Sequence, residues 1–157
     1  MIVTVLKSET INMRQWTMKF VTGFCATGSR MAYNKQWPTA DCPQCGYPQE
    51  TTSHILQCPQ PEAQSLWDST ILQLREQLLE SNMEPGIIKD LSTGLDAWRQ
   101  QANPPPAITN AGHAQTEITW DNFAHGFLLL AWKSQQAEYY ISKGNLASPS
   151  CWAADLL

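Results

Sequence analysis

The sequence predicts an all-α fold, and two observations lead to that prediction. Apolar residues recur at intervals of three and four in several separate stretches, which is the period of an amphipathic helix. Proline and glycine mark the joins between these stretches, as is usual between helices. A cysteine-rich segment at about residues 37–60 interrupts the pattern. We therefore expect one small helical domain that carries an inserted cysteine-rich knuckle.

The first helix is predicted at residues 9–24. Its apolar stripe steps by three and four along the chain and consists of Met13, Trp16, Phe20 and Phe24. Arg14 and Lys19 fall off this stripe, so both should face solvent. Two glycines then interrupt the pattern, and we expect Ser29 to cap a short second helix that reaches Lys35.

Two further helices are predicted after the cysteine-rich segment, at residues 62–80 and 85–98. The apolar face of the earlier one is made of Ala63, Trp67, Ile71, Leu74 and Leu78. Pro85 suits the first turn of the later one. The apolar residues of that helix are Ile87, Ile88, Leu91, Leu95 and Trp98. Gly94 weakens its middle, because glycine costs about 1 kcal/mol of helix propensity relative to alanine.

A proline-rich stretch separates these helices from the C-terminal part. Residues 102–112 read ANPPPAITNAG, and three consecutive prolines remove backbone donors and favour an extended conformation. We therefore expect no regular structure at 102–112, at the start of a linker that spans 102–118. A last long helix is predicted at about 119–143, with Gly144 as its stop. The residues expected to face inward are Phe123, Phe127, Leu130 and Ala131.

These elements suggest a division of the chain into a helical region with the knuckle at 1–101, the linker at 102–118, and C-terminal helices at 119–157. We expect the C-terminal helices to pack on the same domain. At the two ends, the apolar lead-in at 1–7 suits a strand or the end of a longer element. A Ser-Pro pair at 148–149 suits the start of a further helix.

Two cysteines of the knuckle are spaced as a metal-gripping turn. Cys42 and Cys45 form a C-x2-C pair, which can hold one ion when the backbone turns tightly between and after them. Pro43 and Gly46 suit that turn, since proline presets φ and glycine tolerates positive φ. This turn should supply two thiolates.

The second half of the motif is an H-x3-C pair on a predicted helix. His54 and Cys58 lie four residues apart, so on a helix their side chains face the same way. Thr51 or Thr52 can cap that helix by accepting an otherwise unpaired N–H bond. The full motif is therefore C-x2-C-x8-H-x3-C.

Three sulfurs and one nitrogen make a tetrahedral CCHC site for one structural Zn²⁺, because no ligand position remains for a water molecule. Two alternatives are open. The cysteines could be ordinary buried or free thiols, or Cys42 and Cys45 could form a disulfide. A CxxC redox motif normally accompanies a βαβ pattern, and none is found here. Cys25 is not needed as a fifth ligand and is better explained as a small buried residue.

The segment CPQCGYPQETTSHILQCP resembles the zinc-binding region that follows the polymerase in non-LTR retrotransposon reverse transcriptases. The matching positions are Cys42, Cys45, His54 and Cys58, with the run Glu50, Thr51 and Thr52 ahead of the histidine. The flanks are similar as well: FVTGFCATGSRM precedes the knuckle, and a helix with Trp67 and Leu74 follows it. The match covers about 24 residues closely and residues 13–98 more loosely.

The resemblance implies a non-catalytic, zinc-binding accessory domain of a polymerase, with RNA or DNA and the rest of a longer polymerase chain as partners. The catalytic Tyr-x-Asp-Asp-like turn of a reverse transcriptase is not found in this sequence, and neither is a nuclease carboxylate cluster. The eight-residue spacer is longer than that of retroviral nucleocapsid knuckles. Their way of gripping single-stranded RNA is therefore not implied.

The charge distribution qualifies the expectation of nucleic-acid binding. The whole chain has a formal net charge of −4, which argues against a dedicated nucleic-acid binder. Residues 1–36 are nevertheless basic. The residues that could contact phosphates are Arg14, Lys19, Arg30 and Lys35. The same charges could equally form a solvated helix face.

Other classes of function lack a matching motif. No nucleophile elbow or phosphate-binding loop is found, so we expect neither an enzyme nor a small-molecule substrate. No apolar run is long enough to span a membrane, and no signal peptide is recognised, which favours an intracellular location in the nucleus or cytoplasm. Asp121 and His125 are spaced to pair across one helical turn. The alternative function is a structural or protein-interaction zinc module that binds no nucleic acid.

Overall fold

The computed structural model describes residues 11–144, and this range is helical without a β-strand. It confirms the predicted all-α class. The helices are α1 Ile11–Val21, α2 Gly28–Tyr33, α3 Thr52–Gln57, α4 Pro61–Glu80, α5 Pro85–Arg99, α6 Asn110–Ile118, α7 Trp120–Ala124 and α8 Leu130–Ser142. The elements predicted at 1–7 and at 148–149 lie outside the described residues. No helix in the described range combines the length and the apolar character needed to cross a bilayer.

The described residues divide into two compact units. Residues 11–70 form the first, which we call the knuckle unit because it holds the cysteine-rich segment. Residues 71–144 form the second, which we call the helical unit. The division falls inside α4, whose bounds of Pro61–Glu80 agree closely with the predicted helix at 62–80.

In the knuckle unit, α1 is shorter than predicted. It ends at Val21, since Gly23 adopts a φ of +70° and turns the chain out of the helix. Phe20 is buried, but Phe24 is 61% exposed because it lies beyond the helix and off its apolar stripe. The cap of α2 also differs from the prediction. Thr27 rather than Ser29 caps it, because Thr27 is extended and its hydroxyl accepts the N–H of Arg30.

In the helical unit, α5 is the most buried helix and was predicted well. Pro85 occupies its first turn as expected. All five residues of its predicted apolar face are buried: Ile87, Ile88, Leu91, Leu95 and Trp98. Gly94, which lowers the helix propensity of α5, is required there by packing. A Cβ at this position would overlap the indole of Trp120, so glycine lets α7 approach α5 closely.

The proline-rich stretch ends earlier than expected. Residues 110–118 form α6, so the prediction of irregular structure as far as residue 112 was wrong. Thr109 starts the helix by accepting the N–H of Gly112 on its hydroxyl. The buried carboxylate of Asp90 on α5 accepts both the N–H and the hydroxyl of Thr109, as well as the N–H of Ile108. A buried side chain from another helix thus fixes the start of α6.

The single helix predicted at 119–143 is two helices, α7 and α8. They are separated at Gly126, whose φ of +85° does not fit a helix. The change of direction leaves Phe127 60% and Leu130 81% exposed, although both were expected to face inward. Trp132 is buried instead, and its indole N–H donates to Gln115 on α6. The predicted stop is confirmed, since α8 ends at Ser142 and Gly144 has positive φ.

We predict that Gly94→Ala lowers the stability of the helical unit by about 1–3 kcal/mol, the usual cost of overpacking a core. Helix propensity alone would predict a gain of about 1 kcal/mol, so the sign of the change is decisive. Urea unfolding followed by circular dichroism measures it. Lys89→Ala, at an exposed position of the same helix, is the control and should change stability little. A stabilised Gly94→Ala protein would contradict the close packing of α7 on α5.

Candidate metal centre

The turn that carries the first two cysteines closes as the sequence predicted. The N–H of Gly46 donates to the carbonyl of Cys42 at 2.9 Å, and the N–H of Cys42 donates to the carbonyl of Tyr47 at 2.8 Å. Gly46 has a φ of +70°, a conformation that glycine adopts without steric cost. These bonds bring Cys42 and Cys45 to the same side of the turn.

The short helix α3 supplies the histidine. Thr51 is extended and its hydroxyl accepts the N–H of His54 at 3.2 Å, which confirms it as one of the two predicted caps. Cys58 lies one residue beyond the helix, at its C-cap position, and not inside it. The imidazole of His54 and the thiol of Cys58 nevertheless lie close together, with their ligand atoms within 4.8 Å of each other.

The four predicted ligand residues form one cluster. The ligand atoms of Cys42, Cys45, His54 and Cys58 all lie within 4.8 Å of one another. Sγ of Cys45 and Nε2 of His54 lie 3.3 Å apart. In a tetrahedral zinc site with Zn–S bonds of about 2.3 Å, two sulfurs lie about 3.8 Å apart. The cluster therefore has the ligands and nearly the dimensions of a metal site, and it could hold an ion with small side-chain movements.

The cluster is sheltered from solvent. Cys42, His54 and Cys58 are buried, and Cys45 is half-buried. The ring of Tyr47 stacks on His54 with centroids 4.7 Å apart and planes 12° from parallel. This contact sets the orientation of the imidazole so that Nε2 faces Cys45. Sequence reasoning did not single out Tyr47, although its place directly after Cys-x2-Cys-Gly was a usable signal.

A second residue that sequence reasoning did not assign to the site is Glu50. It is buried, and its carboxylate accepts the N–H of Gly28 at 2.6 Å. Its backbone carbonyl accepts the N–H of Ser29, and its own N–H donates to Ala40. A Cβ on Gly28 would lie 2.5 Å from the carbonyl oxygen of Ala40, so only glycine fits there. Glu50 therefore joins the start of α2 to the cysteine-rich segment.

The thiols of the cluster differ in acidity. The pKa of Cys42 is raised to about 11, mainly by burial; hydrogen bonds from its thiol to Glu50 and Cys45 add to the rise, and bonds from backbone N–H groups oppose it. The pKa of Cys45 is lowered: partial desolvation opposes this, but the N–H of Tyr47 and the thiols of Cys42 and Cys58 favour its thiolate. A metal ion that binds here must displace the proton of Cys42, because the thiolate is the ligand.

The residues predicted to contact nucleic acid lie in the knuckle unit, outside the cluster. Arg14 and Lys19 are on α1, Arg30 is on α2, and Lys35 follows α2 with a φ of +58°. Lys19 and Lys35 are exposed, whereas Arg14 and Arg30 are half-buried. Cys25 is buried and separate from the cluster, in agreement with its omission from the ligand set.

Two histidines outside the cluster have ordinary surroundings. His125 pairs with Asp121 across one turn at 3.4 Å, as predicted from their spacing. His113 is exposed and lies on α6.

Comparison with known proteins gives no further assignment. The chain matches no protein-family model, no curated protein and no solved structure.

We predict that Glu50→Ala destabilises the knuckle unit by about 1–3 kcal/mol, because it leaves the buried N–H of Gly28 without its partner. Glu50→Gln keeps an acceptor oxygen and should cost less. Urea unfolding followed by tryptophan fluorescence measures both, with Glu62→Ala at an exposed position as the control. Equal stability of the Ala and Gln variants would contradict the role assigned to the carboxylate.

Proposed function

We propose that the knuckle unit is a non-catalytic module built around one structural zinc ion, bound by Cys42, Cys45, His54 and Cys58. The observation that carries this proposal is the convergence of the four ligand atoms within 4.8 Å. Three thiolates and an imidazole suit zinc better than the hard cations, which prefer oxygen ligands. All four tetrahedral positions come from the protein, which is the arrangement of a structural site rather than a catalytic one.

In this proposal the ion connects two pieces of backbone that are also joined by the stacking of Tyr47 on His54. It joins the turn at 42–46 to α3, and Glu50 connects that segment to the start of α2. Structural zinc can supply on the order of 10 kcal/mol of folding free energy in small domains. Such a contribution would exceed that of any hydrogen bond in the knuckle unit.

We predict one zinc per chain after purification without chelator, measured by elemental analysis. The bound metal should protect three thiols from alkylation until EDTA is added. Replacement of zinc by Co²⁺ should give the visible absorption of a tetrahedral, thiolate-bound ion. Cys45→Ser should lower the metal content and the melting temperature, because it removes a ligand. Cys25→Ser, at a buried thiol outside the cluster, is the matched control and should retain one zinc per chain.

Two results would contradict the zinc proposal. The first is a purified chain without metal whose thiols at 42, 45 and 58 are free or in a disulfide. The second is a Cys45→Ser protein with full zinc content and an unchanged melting temperature.

We further propose that this module is an accessory part of a retrotransposon-type reverse transcriptase that contacts RNA or DNA, with the remainder of a longer polymerase chain as its partner. The resemblance of residues 42–58 to the zinc-binding region of non-LTR retrotransposon reverse transcriptases supports this proposal. The charge of the knuckle unit supports it as well. Residues 11–40 contain four basic residues and no carboxylate, although the whole chain is acidic. Large aromatic side chains are exposed in the same unit: Trp16, Phe24, Tyr33, Trp37 and Tyr47. Cations and exposed rings together are typical of surfaces that bind single-stranded nucleic acid.

We predict salt-dependent binding of RNA or DNA by the zinc-loaded chain. The logarithm of the association constant should fall linearly with the logarithm of salt concentration, since each neutralised phosphate releases counterions. Lys19→Ala and Arg14→Ala should each weaken binding, and Arg75→Ala, an exposed basic residue of the helical unit, should not. Fluorescence anisotropy at several salt concentrations measures these changes.

A zinc-loaded chain that binds no nucleic acid at low salt would contradict this second proposal. It would favour the alternative of a structural or protein-interaction zinc module. Concentration-dependent association in a sizing experiment would then be the next observation to seek.

A further inference from the structure

A shallow cleft of about 340 Å³ lies on the knuckle unit, apart from the four metal ligands. One side is formed by Thr27, Ser29, Arg30 and Tyr33, at and around α2. The other side is formed by Thr52, the first residue of α3, and by Thr51, which caps that helix. Of the four residues predicted to contact phosphates, Arg30 alone is among those that line this cleft.

The lining of the cleft consists mostly of hydrogen-bond donors. Thr27 and Thr51 use their hydroxyl oxygens to accept backbone N–H groups, so these bonds do not use the hydroxyl protons. Ser29 and Thr52 add two more hydroxyl groups. Donors without competing acceptors are what a phosphate or other oxyanion needs.

The charge at the cleft has the sign that such a ligand requires. The Arg30 guanidinium lies 4.2 Å from the centre of the Phe24 ring, a cation–π contact that holds it in place. No ion pair involves it within residues 11–144. The nearby carboxylate of Glu50 does not line the cleft, because it is buried and bonded to Gly28. An anion at this place would meet a fixed cation and no opposing acid.

An aromatic surface adjoins these donors. Tyr33 lines the cleft and is 80% exposed, so the face of its ring is open to a ligand. A ring beside a phosphate-binding cleft can stack on an unpaired base, whereas the bases of a duplex are already stacked on one another.

We propose that this cleft binds a backbone phosphate of a single-stranded nucleic acid, with the neighbouring base stacked on Tyr33. Arg30 and the hydroxyls of Ser29 and Thr52 hold the phosphate. The inference rests on the proposed nucleic-acid contact and specifies the form of the ligand and the residues that bind it. A single strand is favoured over a phosphopeptide because the surrounding segment at 11–40 contains four basic residues and no carboxylate, and its exposed rings can stack on further bases.

The test uses the full zinc-loaded chain and a fluorescein-labelled, mixed-sequence oligonucleotide, as a single strand and as a blunt duplex. A labelled phosphorylated peptide is measured in the same way. We expect the single strand to bind more tightly. Arg30→Ala should weaken binding and reduce the salt slope by about 0.7, the value for one phosphate contact on a single strand. Arg30→Lys should restore most of the salt slope. Tyr33→Ala should weaken binding roughly tenfold, whereas Tyr33→Phe retains the ring and should bind almost as the native chain does.

Controls separate this inference from the earlier proposals. Lys89→Ala, at an exposed position of the helical unit, should bind as the native chain does. Zinc content and melting temperature of every variant identify a loss of binding that is due to unfolding. Because Arg30→Lys and Tyr33→Phe are conservative, they test the cleft even where an alanine variant is unstable.

Three results would overturn the inference. If single strands bind but Arg30→Ala and Tyr33→Ala have no effect, nucleic-acid binding stands and the cleft is not its site. Equal affinity for the duplex, or tighter binding of a phosphorylated peptide, would refute the single-strand assignment. A chain with one zinc that binds no oligonucleotide would refute the inference and leave the structural zinc proposal intact.

Discussion

Three thiols and one imidazole converge in the knuckle unit, and its local structure is arranged to bring them together. The turn after Cys42 needs the positive φ of Gly46, and α3 needs the cap supplied by Thr51. Glu50 then connects this segment to the start of α2 through the N–H of Gly28. Each of these features is individually worth about 1 kcal/mol or a little more. A bound ion would therefore be the largest single contribution to the stability of this unit.

The helical unit depends on a different constraint, the satisfaction of buried polar groups. Asp90 accepts three hydrogen bonds from the residues that start α6, and Gln115 accepts the indole N–H of Trp132. The side chain of Gln136 accepts the N–H of Glu84 and donates to the carbonyl of Asn82. Such bonds are costly to break in a buried setting, so they fix where loops and helices begin.

Local signals predicted well wherever the decisive contacts were local. The five apolar residues of α5 follow a helical period and are all buried, and the short spacings within the metal motif bring its ligands together. One prediction failed because a distant residue decided the outcome, and another failed at a local break in a helix. The start of α6 at Thr109 depends on Asp90, nineteen residues away. The exposure of Phe127 and Leu130 follows from a break at Gly126 that periodicity did not reveal.

The sequence by itself determined the all-α class, most of the helix positions and the identity of the four clustered ligands, because period, caps and short spacings act over a few residues. Tertiary structure decided the rest. It packs the indole of Trp120 against Gly94, where a larger residue would not fit. It also bonds Glu50 to the N–H of Gly28 and places Arg30 and Tyr33 beside the start of α3. These outcomes depend on which side chains meet after the chain folds back on itself, and the spacing of residues along a sequence does not specify such meetings.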